Sequence, residues 1–220
     1  EERDELMQRF CSRYLNFYGS TDGGGCSALM WDDAPEFAAS VGRPVFGATL
    51  DIVDEADQPA PLGEVGRIRY RHPGTASGYY NDVAASLTAF RDGWYYPGDL
   101  GWVDKDGYLF LAGRETDMII RGGANIYPAE IEHILTLHPD VHEAAVIGWP
   151  SREFGEEIAA FIVPVSHKGA LDSEGLIAYC REKLAPYKIP RAIFAIEALP
   201  KSGVGKILKT ELAGRLAKIE

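Results

Sequence analysis

The sequence predicts a mixed α/β (α+β) protein built in two parts, and three observations carry that prediction. Residues 41–113 are short β-branched and aromatic runs separated by turn signals, the texture of a β-rich unit. After Arg114, strand-like runs alternate with stretches of helical periodicity, the texture of a compact α+β unit. At 220 residues and 46% hydrophobic, the chain is long enough to bury more than one core. The expected division is 1–114 and 115–220.

Taken in order, the first element is a short amphipathic helix from Asp4 to Leu15, where Leu6, Phe10 and Tyr14 recur every four positions. It feeds the glycine-rich segment NFYGSTDGG, residues 16–24. GRPVFGATLDIVD, QPAPLGEVGRIRYR and WVDKDGYLFLAG then supply the strands of a partly barrel-like β unit. Within the last run, Asp106-Gly107 is a tight-turn candidate because glycine tolerates positive φ. DMIIRG reads as a strand, and Pro128, suited to a first helical turn, opens a helix to Leu137 with Ile131, Ile134 and Leu135 on one face. VHEAAVIGW and EIAAFIVPV read as strands, Asp172 to Leu184 as a helix, AIFAIEAL as a strand, and Thr210 to Lys218 as a last helix carrying Leu212 and Leu216.

The net charge of -11 argues against general nucleic-acid binding, which needs a basic surface to displace counterions. A polyphosphate ligand must therefore be held locally, by backbone amides and a few placed cations. Cys11, Cys26 and Cys180 are odd in number and far apart, which speaks for reduced thiols and a cytoplasmic setting; Cys180 is expected to pack as a small apolar group. No signal-type leader and no apolar run of about 18 residues is read, so no membrane span is expected.

Four patches carry chemistry: NFYGSTDGG, GWYYPGDLG at 93–101, GYLFLAGRETDMIIRGGANIYPAEIE at 107–132 and PKSGVGK at 200–206. Singly, each reads as an ordinary turn, strand end or surface loop. GVGKI also lacks the glycine spacing and the Ser or Thr after GK that a nucleotide-triphosphatase loop needs. His138 and His142 are separated by Pro139, which breaks the register a metal pair would require. Trp94, Tyr95, Tyr96 and Trp102 read as packing rather than as a base-stacking platform.

Together and in this order, the patches resemble core motifs of the acyl-adenylate-forming (AMP-binding) superfamily, in particular the carboxy-terminal part of its acyl-CoA synthetases, the AMP-forming acid:CoA ligases. The resemblance implies that 1–114 is the β-rich end of the large adenylating domain and 115–220 a small, mobile α+β lid. It implies a reaction in which a carboxylate and ATP give acyl-AMP, and the acyl group then passes to CoA. Developing oxyanion charge in both steps calls for a cation and aligned donors. By the resemblance, Lys206 is the catalytic lysine bridging carboxylate and α-phosphate, on a loop made mobile by Gly203 and Gly205. Tyr18 meets the adenine, Thr21 the phosphate, and Asp99 and Arg114 the ribose. Asp22 stands at the acidic position for Mg2+, Thr116 is the hinge, and Gly122 and Gly123 line the pantetheine tunnel.

Four positions depart from the family pattern. Asp22 replaces the usual Glu, Pro97 a small hydroxylated residue, Thr116 an Asp or Lys, and Ala124 a common Glu. As a β-branched residue, Thr116 favours extended backbone at the hinge. The implied ligands are ATP, Mg2+, CoA and a small carboxylic acid, fatty acids among the candidates. The implied partner is an amino-terminal part bearing the pyrophosphate-handling loop, without which this chain alone is expected to be inactive; surface bared there would favour a homodimer. Two alternatives stay open: an adenylating domain that loads a carrier protein, and a truncated relative that only binds nucleotide, acyl-CoA or other proteins.

Overall fold

The computed structural model describes residues 2–165 and 171–216. The chain forms two compact units, Glu1–Glu115 and Thr116–Glu220.

The first unit begins with α1 (Glu2–Arg9), shorter than the expected helix. The Phe10 and Cys11 amides both fold back on the Leu6 carbonyl, at 2.9 and 3.4 Å, and Phe10 is 82% exposed. A periodic apolar pattern makes a long helix only where a surface receives it, and Phe10 has none within the described residues. NFYGSTDGG is not a plain loop but a β-hairpin of β1 (Asn16–Ser20) and β2 (Gly24–Leu29), with a bulge between Tyr18 and Gly19. β3 (Arg43–Pro44) completes a three-stranded antiparallel sheet. The segment before β3 is stitched to distant strands. Val41 donates to the Leu109 carbonyl and Leu109 to that of Gly42, both at 2.8 Å, while Ser27 Oγ donates to Val41 O at 2.8 Å.

The larger sheet holds β4 (Thr49–Val53), β5 (Gly66–Arg71), β6 (Phe90–Arg91), β7 (Trp94–Tyr95), β8 (Asp99–Val103) and β9 (Leu109–Arg114), with α2 (Val83–Ala89) before β6. Its order is β6-β7-β5-β8-β9 with β4 also on β5, so the sheet is open rather than barrel-like. Alternation along GRIRYR turns Ile68 and Tyr70 into the core and puts Arg67, Arg69 and Arg71 on the other face. β8 and β9 form the expected hairpin. Gly107 adopts φ +83°, and the Asp104 carboxylate accepts from the Asp106 and Tyr108 amides at 2.9 and 2.8 Å.

In the second unit, β10 (Ile119–Arg121) and β11 (Ala124–Ile126) form a hairpin that precedes α3 (Pro128–Thr136). Then come β12 (Val141–Ser151), β13 (Gly155–Pro164), α4 (Ser173–Lys183), β14 (Ala192–Ala195) and α5 (Lys209–Leu216). Pro128 occupies the first turn of α3, and the Asp172 carboxylate caps α4 by accepting from the Gly175 amide at 2.9 Å. Residue 217 onward of the expected last helix lies outside the described residues. β14 ends at Ala195, shorter than AIFAIEAL.

The sheet runs β11-β10-β13-β12, with β14 parallel to β13. β12 and β13 are apolar on both faces because helices cover both. Val146, Ile158 and Ile162 meet Ile131 and Leu135 of α3 and Leu176 and Cys180 of α4, whereas Ile147 and Phe161 meet Leu212 and Leu216 of α5.

Cys26 and Cys180 are fully buried and Cys11 is exposed. Burial, with the nearby Asp99 carboxylate as a second cause, pushes the Cys26 thiol up to about 12, and burial alone pushes Cys180 up to about 11. Only thiolates react readily with disulfide reagents. At pH 8 the folded chain is expected to release one equivalent of thionitrobenzoate from Ellman's reagent promptly, with the other two thiols reacting only in denaturant; three prompt equivalents would contradict this burial.

Candidate functional site

The strand pairing of the first unit brings Tyr18, Asp99 and Arg114 together although they lie far apart in sequence. Asp99 opens β8 and is the register partner of Arg114, which closes β9. The Asp99 carboxylate therefore faces the guanidinium, with Oδ1 accepting from Arg114 Nε at 2.8 Å. Its other oxygen accepts from the Tyr18 hydroxyl at 2.6 Å. Tyr18 is half-buried, and this burial, reinforced by Asp99, raises its pKa far above the ordinary phenol. Asp99 is 14% exposed and Arg114 51%, so the array opens to solvent on the arginine side. Pro97 has no hydroxyl to offer, but its carbonyl accepts from Arg114 Nη1 at 3.1 Å. Asp99 and Gly98 also line a cleft of about 370 Å³ with Arg67, Thr88, Arg91 and Tyr96.

Thr21 and Asp22 occupy the turn between β1 and β2. The Thr21 side chain is exposed. Asp22 Oδ2 lies 3.3 Å from the Tyr79 hydroxyl and 3.4 Å from that of Tyr95, both donating to it. Burial and the neighbouring Tyr95 and Asp22 push Tyr79 up to about 12, so it stays a donor at neutral pH. The next residue, Gly23, lies so close to the Tyr70 and Tyr95 rings that any Cβ would collide with them. Among the described residues no three His, Cys, Asp or Glu side chains converge as a metal cage. A lone carboxylate of this kind still fits Mg2+, which keeps water and substrate phosphates as its other ligands.

The remaining expected site residues belong to the second unit. Lys206 is exposed and, among the described residues, its ammonium has no carboxylate partner. It ends a closed turn: Ser202 donates to the Lys206 carbonyl at 2.8 Å, Gly205 to Ser202 O at 2.9 Å, and the Lys206 amide to Ser202 Oγ at 3.2 Å. Just beyond, Lys209 Nζ pairs with Glu132 at 2.8 Å and Asp117 at 3.5 Å. Thr116 does not adopt the extended backbone expected of it. It sits in a one-turn 3-10 segment, Glu115–Asp117, where its hydroxyl reaches the Asp117 carboxylate at 3.3 Å. Gly122 and Gly123 are the two-residue turn between β10 and β11, at φ +58° and +83°, the pair of positive angles that a type I′ turn demands. Ala124 follows as the register partner of Arg121.

Sequence reasoning missed the residues that hold these groups: Tyr79 and Tyr95 behind Asp22, and Glu156 and Glu157 behind the glycine turn. GEEIAAF placed two acids at the head of an apolar strand, which was the only available signal for the last pair.

An open β unit thus presents the Tyr–Asp–Arg array, and an α+β unit follows it with an exposed lysine turn. A family model described as AMP-binding enzyme matches residues 1–80, and one described as AMP-binding enzyme C-terminal domain matches residues 130–206. The 2-succinylbenzoate--CoA ligase of Geobacillus kaustophilus is 38% identical over 207 residues, covering 92% of this chain and 41% of that protein. A feruloyl-CoA synthase of Amycolatopsis sp is 38% identical over 215 residues, covering 96% of this chain and 44% of that one. Among solved structures, the o-succinylbenzoate CoA synthetase of Bacillus subtilis in complex with its acyl-adenylate intermediate superposes with a TM-score of 0.85 at 34% identity, covering 95% of this chain and 42% of that one. The chain belongs to the AMP-binding, acyl-adenylate-forming enzymes and corresponds to the carboxy-terminal part of their CoA ligases. It spans about two fifths of the length of the curated relatives it matches. No described helix is long and apolar enough to cross a membrane.

Proposed function

We propose that the protein to which this chain contributes activates a carboxylic acid as its acyl-AMP and passes the acyl group to CoA. The observation that carries this reading is the Asp99 carboxylate held between Tyr18 and Arg114. Each carboxylate oxygen keeps a lone pair beyond those bonds, so Asp99 can accept the two ribose hydroxyls while Arg114 adds a donor beside them. Tyr18 offers its ring to the adenine, and Thr21 its hydroxyl to the phosphate.

Mg2+, when bound through Asp22, neutralises charge on the phosphates. Lys206 supplies the cation between the attacking carboxylate and the α-phosphate as pyrophosphate leaves. Thr116 is the pivot about which the second unit exchanges Lys206 for the Gly122–Gly123 turn, where backbone without side chains leaves room for a pantetheine arm. The names of the similar relatives favour an aromatic acid over a fatty acid, and favour free CoA over a carrier protein. A cytoplasmic setting suits the reduced cysteines.

The test is ATP–pyrophosphate exchange by the full-length protein with panels of aryl and aliphatic acids, followed by transfer from acyl-AMP to CoA or to a phosphopantetheinylated carrier. Acid-dependent exchange and a CoA thioester product are expected from the full-length protein, and neither at an appreciable rate from residues 1–220 alone. Exchange at full rate by the 220-residue chain, or a carrier thioester without a CoA thioester, would reject the reading.

A further inference from the structure

The β10–β11 hairpin is thinly tied to its sheet. β12 and β13 pair along their whole length, whereas β10 meets β13 at one register pair, Arg121 with Gly155. Outside the strand ladders, the Gly122 amide donates to the Phe154 carbonyl at 2.8 Å and steadies the turn. Two consecutive carboxylates of β13 supply the rest. Successive strand residues point to opposite faces, yet both of these reach β10. On one face Glu156 Oε2 accepts the Ile120 amide at 2.7 Å. On the other, Glu157 takes the Arg121 guanidinium through two oxygens, at 2.6 Å from Nε and 3.2 Å from Nη2.

Both carboxylates are built into the fold. Glu157 is 3% exposed. The Arg121 hydrogen bond holds its carboxyl below the usual carboxylate range despite burial, with Arg191 at 3.5 Å assisting. Arg121 is in turn stacked over the Phe154 ring at 4.6 Å and donates to Tyr187 O at 3.4 Å. Glu156 leans over Gly148, where any Cβ would collide with its carboxylate, so the sheet keeps a gap for this side chain. A buried ion pair and a strand acceptor aimed at a backbone amide are costly ways to secure an ordinary surface hairpin.

We infer that Glu156 and Glu157 are positioning residues for the Gly122–Gly123 turn, fixing its height above β13 and so the path of the thiol arm of CoA. The role rests on the proposed function, which assigns that turn to pantetheine; the mechanical part does not. Neither carboxylate touches substrate. Each acts through β10, one on its backbone and one on the side chain that immediately precedes the turn.

Amide hydrogen exchange on the 220-residue chain tests the mechanical part. Glu156→Ala removes only a half-buried acceptor and leaves no stranded charge, so the variant is expected to fold. It should speed exchange at Ile120 and Gly122 by about tenfold or more, while amides of β12 keep their protection. Glu157→Gln should do the same at Gly122. Wild-type exchange at both amides in a folded Glu156→Ala chain would overturn the inference. In the full-length protein, Glu156→Ala is expected to raise the KM for CoA several-fold more than the KM for ATP, and Glu156→Gln, which keeps an acceptor oxygen, should restore it. Fast exchange with no change in the KM for CoA would overturn the role in placing the thiol arm. A wild-type protein that forms no thioester would instead reject the proposed function, leaving the exchange result to stand for the hairpin.

Discussion

Alanine in place of Gly42 is expected to unfold the first unit or cost it more than about 4 kcal/mol, the range reached when a side chain has no room and the backbone no alternative. Gly42 has φ +84°, a conformation that costs an L residue about 1–2 kcal/mol before any contact is considered. A Cβ there would overlap the Ala28 carbonyl and the Leu29 nitrogen, which are β2 backbone and cannot swing aside. Nor can the chain retreat, because Gly42 O accepts from Leu109 at 2.8 Å and the neighbouring Ser40 is 2% exposed. Chemical denaturation of the 220-residue chain measures this. Gly214→Ala is the opposite control. That glycine is an exposed position of α5 with open space around it, and alanine should stabilise by up to about 1 kcal/mol. Equal stability of the Gly42→Ala and wild-type chains would mean that the 40–42 segment is not fixed as described.

Lys206→Ala is expected to lower the adenylation rate of the full-length protein by about 10²–10³, the usual loss when a charge-stabilising donor is removed from an acyl-transfer site. Thioester formation from supplied acyl-AMP should be spared, since the proposed second pose does not use Lys206. The structure makes this variant unusually clean. Lys206 is exposed, makes no ion pair among the described residues, and engages its loop through its backbone. Its removal should therefore leave stability within about 0.5 kcal/mol of wild type. Stopped-assay measurement of both half-reactions, beside a melting curve, decides the matter. Equal losses in the two steps would dissociate Lys206 from adenylation. Arginine should rescue poorly, because its planar fork replaces a compact point charge.

Local signals carried most of the fold. Pro128, Asp172 and Asp106-Gly107 mark element ends through backbone chemistry that needs no partner, and α3, α4 and the β8–β9 hairpin formed where those residues stand. The apolar strands of the second unit were legible because helices cover both faces of β12 and β13, which leaves no polar alternation to confuse. The periodicity of Leu6, Phe10 and Tyr14 misled, since a helical stripe says nothing about whether a surface awaits it, and α1 ends at Arg9. The open sheet order around β5 was hidden because β7 and β8 join it at successive positions, a choice made by long-range pairing.

At the candidate site, residue types and their order suggested which groups matter, but not what holds them. Tyr79 and Tyr95 come from β-unit segments far from Asp22 in sequence, and Arg121 finds Glu157 only when β10 lies on β13. Such contacts depend on register across strands, which no local pattern encodes.

The donor directions around Asp99 set a rule for whatever approaches it. Tyr18, lifted far above the ordinary phenol, keeps its proton in the working pH range, and the Arg114 guanidinium carries only N–H donors. Towards Asp99 both neighbours therefore give hydrogen, and the carboxylate between them is the acceptor in each of these bonds. A visiting group must arrive with hydrogen to offer. On the proposed function, a sugar edge with two hydroxyls would satisfy that polarity twice, and an edge lacking one would leave part of the carboxylate unanswered.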